Sequence, residues 1–168
     1  MRSSLGRIFA AGALLFAGAM FAERANATTA TAQFNVTATV LGNCAVSATD
    51  MAFGNYSANS GATLPATSIL SVTCTTGTTY AVALDGGTNA ANVAARSMTD
   101  GSSHNLPYGL YTTNAYTSIW GDGTGGTVTQ SGTGNGSAQS LTVYGRVPAS
   151  QFVTAGSYSD RITVTVTY

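Results

Sequence analysis

Reactive side chains are scarce in this chain of 168 residues. Past Ala27 it carries one histidine (His104), no lysine, no glutamate and two cysteines, Cys44 and Cys74. Acid–base, nucleophilic or metal-assisted catalysis needs several such groups held against one another, and their spacing here offers no such set. Asp85, Asp100 and Asp122 each precede a glycine, which is turn chemistry rather than a pair of catalytic carboxylates. His104 sits in the polar run Ser102-Ser103-His104-Asn105, a solvated loop. A Ser-His-Asp triad can be drawn on paper, but serine and aspartate are too common here for it to be specific. Gly121-Asp122-Gly123-Thr124-Gly125-Gly126 has the composition of a calcium-binding Gly/Asp turn, yet it occurs once and without a period. Gly132-Thr133-Gly134-Asn135-Gly136 is followed by no helix whose N-terminus would hold a phosphate. The chain is expected not to be an enzyme and to hold neither a metal nor a cofactor.

Two chemistries remain. Trp120 with Tyr111 and Tyr116 could form a stacking patch for a sugar, although aromatic residues more often pack a core. The cysteines could bond to each other, and that depends on the compartment. Residues 1–27 have the marks of a signal peptide: Arg2 and Arg7, an apolar run from Ile8 to Ala22, and Ala25-Asn26-Ala27 as a cleavage site. The apolar run is short for a bilayer span. Export is expected, with a mature chain beginning at Thr28. In that setting an even pair of cysteines reads as a Cys44–Cys74 disulfide. Cys74 points inward from a strand, where a bond linking two sheets would lie. No other Cys or clustered His accompanies the pair as metal ligands.

Bulk composition agrees with export into an assembly. Only 7% of residues are charged, against about a quarter in ordinary soluble proteins. Beyond residue 27, three arginines (Arg96, Arg146, Arg161) stand against five aspartates (Asp50, Asp85, Asp100, Asp122, Asp160), a net charge of −2. There is no basic patch for nucleic acid.

The elements that must organise these residues are strands. Arg161–Tyr168 alternates strictly, with Ile162, Val164, Val166 and Tyr168 on one face and Arg161, Thr163, Thr165 and Thr167 on the other. That is the pattern of a half-buried strand. Because the given sequence stops there, its far edge is expected to be covered by an earlier segment or by another polypeptide; an uncovered apolar edge is an association site. Thr28–Val40 shows the same period, with Ala32, Phe34, Val36, Ala38 and Val40 on one face. It reads either as the first strand of the chain's own sandwich or as a strand serving another subunit. Between these lie strands expected at Ser68–Cys74, Tyr80–Leu84, Leu106–Tyr111 and Gln139–Val147, with a short one near Arg96 and Met98. Leu41–Val46 is expected to bend at Gly42-Asn43, Met51–Leu64 to be a loop, and Gly121–Ser137 to be a mobile surface loop. Tyr116–Trp120 is a short apolar run, and Pro148 ends the strand before it. Short strands at this spacing, without helical periodicity, predict an all-β antiparallel sandwich.

The order of these features resembles the spore coat protein U domain, found in subunits of archaic (Csu-type) chaperone–usher pili. The resemblance rests on the alternating strand ahead of Cys44, on Ser71-Val72-Thr73-Cys74, on Val82-Ala83-Leu84-Asp85-Gly86-Gly87, on Leu106-Pro107-Tyr108-Gly109-Leu110-Tyr111, and on the closing Ile162–Tyr168 run. It covers essentially the whole mature chain. It implies an immunoglobulin-like sandwich that lacks one strand and is completed by strand donation. It also implies a periplasmic pilus chaperone, an outer-membrane usher and other fibre subunits as partners, with export to the cell surface, adhesion and biofilm formation as the outcome. On this resemblance residues 28–40 are a donor strand with Phe34, Val36, Ala38 and Val40 as its plugs. Residues 41–168 are then the pilin-like domain, with Ile162, Val164, Val166 and Tyr168 on its acceptor edge. Room for a single domain favours a shaft or adaptor subunit over a tip adhesin. A spore-coat or surface-layer protein without pili, and a sugar-binding module, are the other readings.

Overall fold

The computed structural model describes residues 27–90 and 92–168; the expected signal peptide, apart from Ala27, lies outside them. The described residues contain eight strands: β1 (Cys44–Ala48), β2 (Leu64–Cys74), β3 (Thr79–Leu84), β4 (Arg96–Thr99), β5 (Asn105–Tyr111), β6 (Gln130–Thr133), β7 (Ala138–Val147) and β8 (Val164–Thr167). One short 3-10 turn, Ala58–Ser60, interrupts them. Five strands form a sheet in the order β1-β2-β7-β5-β4, and three form a second in the order β6-β3-β8. Every pairing is antiparallel, as the strand spacing predicted.

The core lies between the sheets and comes from alternate residues of each strand: Leu70, Val72 and Cys74 of β2, Tyr80, Val82 and Leu84 of β3, Leu106, Tyr108 and Leu110 of β5, Val143 and Val147 of β7, and Trp120. This is the period-2 rule at work, since consecutive side chains of a strand leave on opposite faces. The prolines sit where an edge is free. Pro65 extends β2 beyond the expected start at Ser68, but β1 accompanies β2 only along Leu70–Cys74, so the N–H that Pro65 lacks is not needed on that side. Pro107 of β5 pairs with β4 alone, because β7 joins β5 only at Gly109–Tyr111.

Two buried polar groups tie the sheets together along one side. Arg96 of β4 is 2% exposed, and its guanidinium donates to the carbonyls of Asp85 (Nε 2.8 Å, Nη2 2.6 Å), Leu84 (3.3 Å) and Trp120 (2.9 Å). The Trp120 indole N–H donates to the Val82 carbonyl at 2.9 Å. Around Trp120 the backbone is stitched to both sheets: its N–H bonds the Leu110 carbonyl at 2.9 Å, and Leu84 N–H bonds the Gly121 carbonyl at 3.2 Å. This side of the sandwich is closed.

Three sequence expectations need correction, while the two readings of Thr28–Val40 stand as they were. Cys44–Ala48 is a strand rather than a bend, because Cys44, Val46 and Ala48 continue an alternation that Gly42-Asn43 hid. The Gly121–Ser137 stretch contains β6, which pairs with β3 through backbone bonds and so needs no apolar face of its own. Thr28–Val40 forms no β-ladder, and residues 27–43 are exposed throughout. Finally, the Cys44–Cys74 disulfide exists, but it does not link the sheets. The two residues face each other across β1 and β2 of one sheet, with Cα atoms 4.1 Å apart. That is the close pairing position of an antiparallel ladder.

Candidate functional site

The side of the sandwich opposite Trp120 is an open seam between the edges of β1 and β8. β8 pairs with β3 along Ala81–Leu84, and β1 pairs with β2 along Leu70–Cys74. Among the described residues neither strand has a ladder partner on its other edge. Each therefore presents backbone N–H and C=O groups in a row, the template that β-strand addition uses. The alternation predicted for Arg161–Tyr168 is present. Ile162, Val164 and Val166 are half-buried against the core, while Arg161, Thr163, Thr165 and Thr167 face solvent. The ladder itself is shorter than predicted, Val164–Thr167, and Tyr168 lies outside it with 58% of its surface exposed.

Tyrosine hydroxyls bind across the seam at both ends. The Tyr168 hydroxyl donates to Asn43 Oδ1 at 3.3 Å, and Asn43 is itself fixed by Thr75 N–H bonding its carbonyl at 2.9 Å. At the far end the Tyr56 hydroxyl donates to the Pro148 carbonyl at 2.9 Å and accepts from Gln151 N–H at 2.7 Å. Two cavities open between these clasps. One, of about 460 Å³, lies between Ala48–Phe53 and Tyr158–Val164, and its floor includes Leu70, Leu84, Leu110 and Val143. The other, of about 730 Å³, continues along Met51–Tyr56 and Gln151–Tyr158. Met51, Phe53, Met98 and Tyr158 border both, so the two form one trough.

The walls of the trough are held in place by identifiable contacts. The β8 wall is anchored by two aspartates. Asp85 accepts from Thr163 N–H at 2.9 Å and Gly87 N–H at 3.0 Å. Burial disfavours its charge, but these hydrogen bonds and the Arg96 guanidinium outweigh it and hold its pKa below the ordinary carboxylate value. Asp160 accepts from Thr88 N–H and Oγ1, Asn89 Nδ2 and the Tyr108 hydroxyl at 2.7–2.9 Å. Burial, and then the bond to Asp160, push the Tyr108 hydroxyl well above its ordinary pKa. On the opposite wall Phe53 packs edge-on against Tyr108 with ring centroids 6.0 Å apart. Gly145 of β7 makes room for this wall, because a Cβ there would collide with Met51 Sδ and the Phe53 ring.

The alternation of Arg161–Tyr168 marks β8 in the sequence, whereas nothing as regular marks Met51 and Phe53. Met51 and Phe53 read as part of a loop because the alternation of Cys44, Val46 and Ala48 slips by one residue at Thr49-Asp50. The paired apolar spacing of Met51 and Phe53 was the available signal. In the segment ahead of β1, Phe34, Val36 and Val40 are 85%, 83% and 80% exposed, and Ala38 is exposed with them. These are large apolar side chains with no strand of the described residues paired to them.

The other candidates resolve as structural groups. Trp120 is fully buried and cannot stack on a ligand. Tyr111 and Tyr116 meet edge-to-face at 5.4 Å and both carry the Arg146 guanidinium, at 5.3 Å and 4.7 Å. The Asp122 carboxylate accepts from Thr124 N–H and Oγ1 of its own turn, at 2.9 Å and 2.6 Å. His104 is an exposed loop residue whose Nδ1 lies 2.6 Å from Asp100 Oδ2.

The described residues thus form an all-β sandwich with one open apolar seam, and the alternating segment ahead of its first strand has no ladder partner. The chain belongs to the Spore Coat Protein U domain family, whose model matches residues 30–165. Among solved structures it is similar to the crystal structure of the CsuC–CsuE chaperone–tip adhesion subunit pre-assembly complex from archaic chaperone-usher Csu pili of Acinetobacter baumannii, with a TM-score of 0.58 and 26% identity. The match covers 77% of this chain and 40% of that one, so this chain spans well under half of the matched length. No curated protein matches the chain.

Proposed function

We propose that this protein is a structural subunit of a cell-surface pilus assembled by the chaperone–usher route. The observation that carries the reading is the seam, where two free strand edges flank a half-exposed apolar trough. Burying such a trough stabilises by about 25 cal/mol per Å² of apolar surface covered, so the subunit alone is unsatisfied. A periplasmic chaperone supplies the missing strand first, and the 28–40 segment of another subunit replaces it at an outer-membrane usher. In the donor segment Phe34, Val36, Ala38 and Val40 are the plugs, and Ile162, Val164, Val166 and Tyr168 mark the acceptor edge. Family membership and the likeness to a chaperone-bound pilus subunit support this reading. Each subunit then donates at one end and accepts along the seam, a head-to-tail contact that does not close and so builds a fibre. Export through the periplasm, adhesion and biofilm formation follow as the role of such a fibre, and none of it calls for catalysis or a cofactor.

A spore-coat or surface-layer role without pili uses the same fold but gives the seam no assembly partner. A sugar-binding role is weakened by the burial of Trp120. The test is co-expression with a periplasmic chaperone and an outer-membrane usher of an archaic chaperone–usher system. Surface fibres containing the protein are expected, and their loss on deleting residues 28–40, with the chaperone complex still recovered, separates the readings. Fibres of normal length from subunits that all lack 28–40 would overturn the proposal.

A further inference from the structure

The outer face of the five-stranded sheet carries a second cluster, which does not depend on what fills the seam. Val143, Gly145 and Val147 of β7 and Tyr108 and Leu110 of β5 face inward, so Tyr144, Arg146, Gly109 and Tyr111 leave on the other side. Arg146 pairs with Gly109 across the two strands, and Tyr144 pairs with Tyr111. The Tyr111 ring lies back over Gly109, where a Cβ would collide with its hydroxyl end. Tyr116 closes the cluster from the loop after β5, with its N–H donating to the Thr113 carbonyl at 3.2 Å. Its φ is +56°, a left-handed conformation that aromatic residues rarely adopt and that concentrates at functional sites.

We propose that this cluster binds a uronate, the carboxylate-bearing unit of an acidic polysaccharide. The first reason is an uncommitted cation. Arg146 is half-buried against the Tyr111 and Tyr116 rings, and among the described residues the one ion pair is His104–Asp100. Its guanidinium makes a single hydrogen bond there, from Nη2 to the Tyr111 hydroxyl at 3.5 Å. Most of its five N–H donors, set in a fork that fits a carboxylate, are therefore unspent. The second reason is the tyrosine hydroxyls. Of the chain's eight tyrosines, Tyr56, Tyr80, Tyr108, Tyr158 and Tyr168 donate to acceptors in the chain at 2.7–3.4 Å. Among the described residues the hydroxyls of Tyr111, Tyr116 and Tyr144 donate to nothing, and these three are the ones grouped with Arg146. A uronate carries a carboxylate, ring hydroxyls and apolar C–H faces on one ring. It thus meets the fork, the hydroxyls and the aromatic rings together. An acidic peptide supplies only the first of these. One cation in a chain of net charge −2 past residue 27 gives a polyphosphate or nucleic acid no attracting field.

The experiment titrates hexagalacturonate into the whole exported chain, in fibres or held by its chaperone, and repeats this with Arg146→Gln prepared identically, so that uptake elsewhere cancels. The wild type is expected to bind, and Arg146→Gln to lose about tenfold or more in affinity with the charge-assisted fork. Arg146→Lys should recover part of the loss, because it keeps the charge and not the fork. Tyr116→Phe and Tyr144→Phe keep the rings and should each weaken binding; they decide the matter if the Arg146 variants fail to fold. The neutral methyl ester of the same oligomer should not bind. Equal affinity of wild type and Arg146→Gln, or of acid and ester, would overturn the proposal. Hexaglutamate bound as tightly as hexagalacturonate, with no loss in either phenylalanine variant, would overturn the saccharide in favour of an acidic peptide.

Discussion

Arg96 shows how a single side chain can carry the closed side of the sandwich. Its cation is buried without a carboxylate in salt-bridge contact and is stabilised by three backbone carbonyls. Burial lowers its pKa, and the nearby Tyr108 and Asp85 counter that effect. Lysine cannot reproduce this fork, which bonds several oxygens from one plane. Arg96→Ala should cost about 3–5 kcal/mol, through the cavity and the carbonyls left unpaired. Arg96→Lys should recover only part of that, read from urea unfolding of the subunit with its seam filled. Asp85 gives a pH dependence of definite sign. Its folded pKa lies below the unfolded value, so its contribution is present above about pH 4 and is lost as the pH falls through the folded pKa. Asp85→Asn keeps an acceptor for Thr163 N–H while removing the charge. It should flatten the acid limb of the stability profile; an unchanged acid limb would show that other carboxylates dominate it. Gly145 takes a buried position of β7, and nothing in the neighbouring sequence shows its purpose. The need for a bare Cα comes from Met51 and Phe53, almost a hundred residues earlier, and no local pattern carries that information. Gly145→Val should push this wall aside and weaken filling of the trough more than it lowers the stability of the sheet.

Among the strands, those facing the core were legible wherever β-branched and aromatic residues alternated: Ser68–Cys74, Tyr80–Leu84, Leu106–Tyr111, Gln139–Val147 and the terminal run. The failures share a physical cause. β6 is Gln130-Ser131-Gly132-Thr133, an edge strand held by backbone pairing with β3, and its composition is that of a loop. β1 was hidden by its turn residues and by small side chains. The reversed case is Thr28–Val40, whose alternation is as regular as that of β8, yet it has no ladder. Local pattern reports a capacity for pairing and is silent on where the partner lies. The disulfide belongs to the same scale. It fastens β1, one bank of the seam, to β2 and closes a separation of 30 residues. Cys44→Ser with Cys74→Ser should cost about 3–4 kcal/mol on the chain-entropy argument. Because β1 is short and an edge, the loss should appear first as faster amide exchange along Cys44–Ala48. Equal exchange in β1 and β7 of the double variant would contradict that local role.

At the largest scale, the sandwich is sealed on the Trp120–Arg96 side and open on the β1–β8 side, and the alternating segment Thr28–Val40 ahead of it in sequence has no ladder partner. In the proposed reading recognition rests on backbone edges and sockets, which suits a chain in which only 7% of residues are charged. That reading also accounts for the exposure of Phe34, Val36 and Val40 (80–85%), an aggregation liability in a protein meant to stay monomeric. The most direct test of this account is titration of a synthetic peptide with the sequence of residues 28–40 into the subunit truncated to residues 41–168, purified from its chaperone complex. One equivalent should bind, and at a hundredfold excess over Kd the gain of about 2.7 kcal/mol should raise Tm by roughly 5–10 °C. A peptide carrying Phe34→Asp should fail to do so, because its carboxylate would be buried unpaired or forced to protonate. A truncated subunit that is equally stable with and without the peptide, and that binds neither version, would contradict the account.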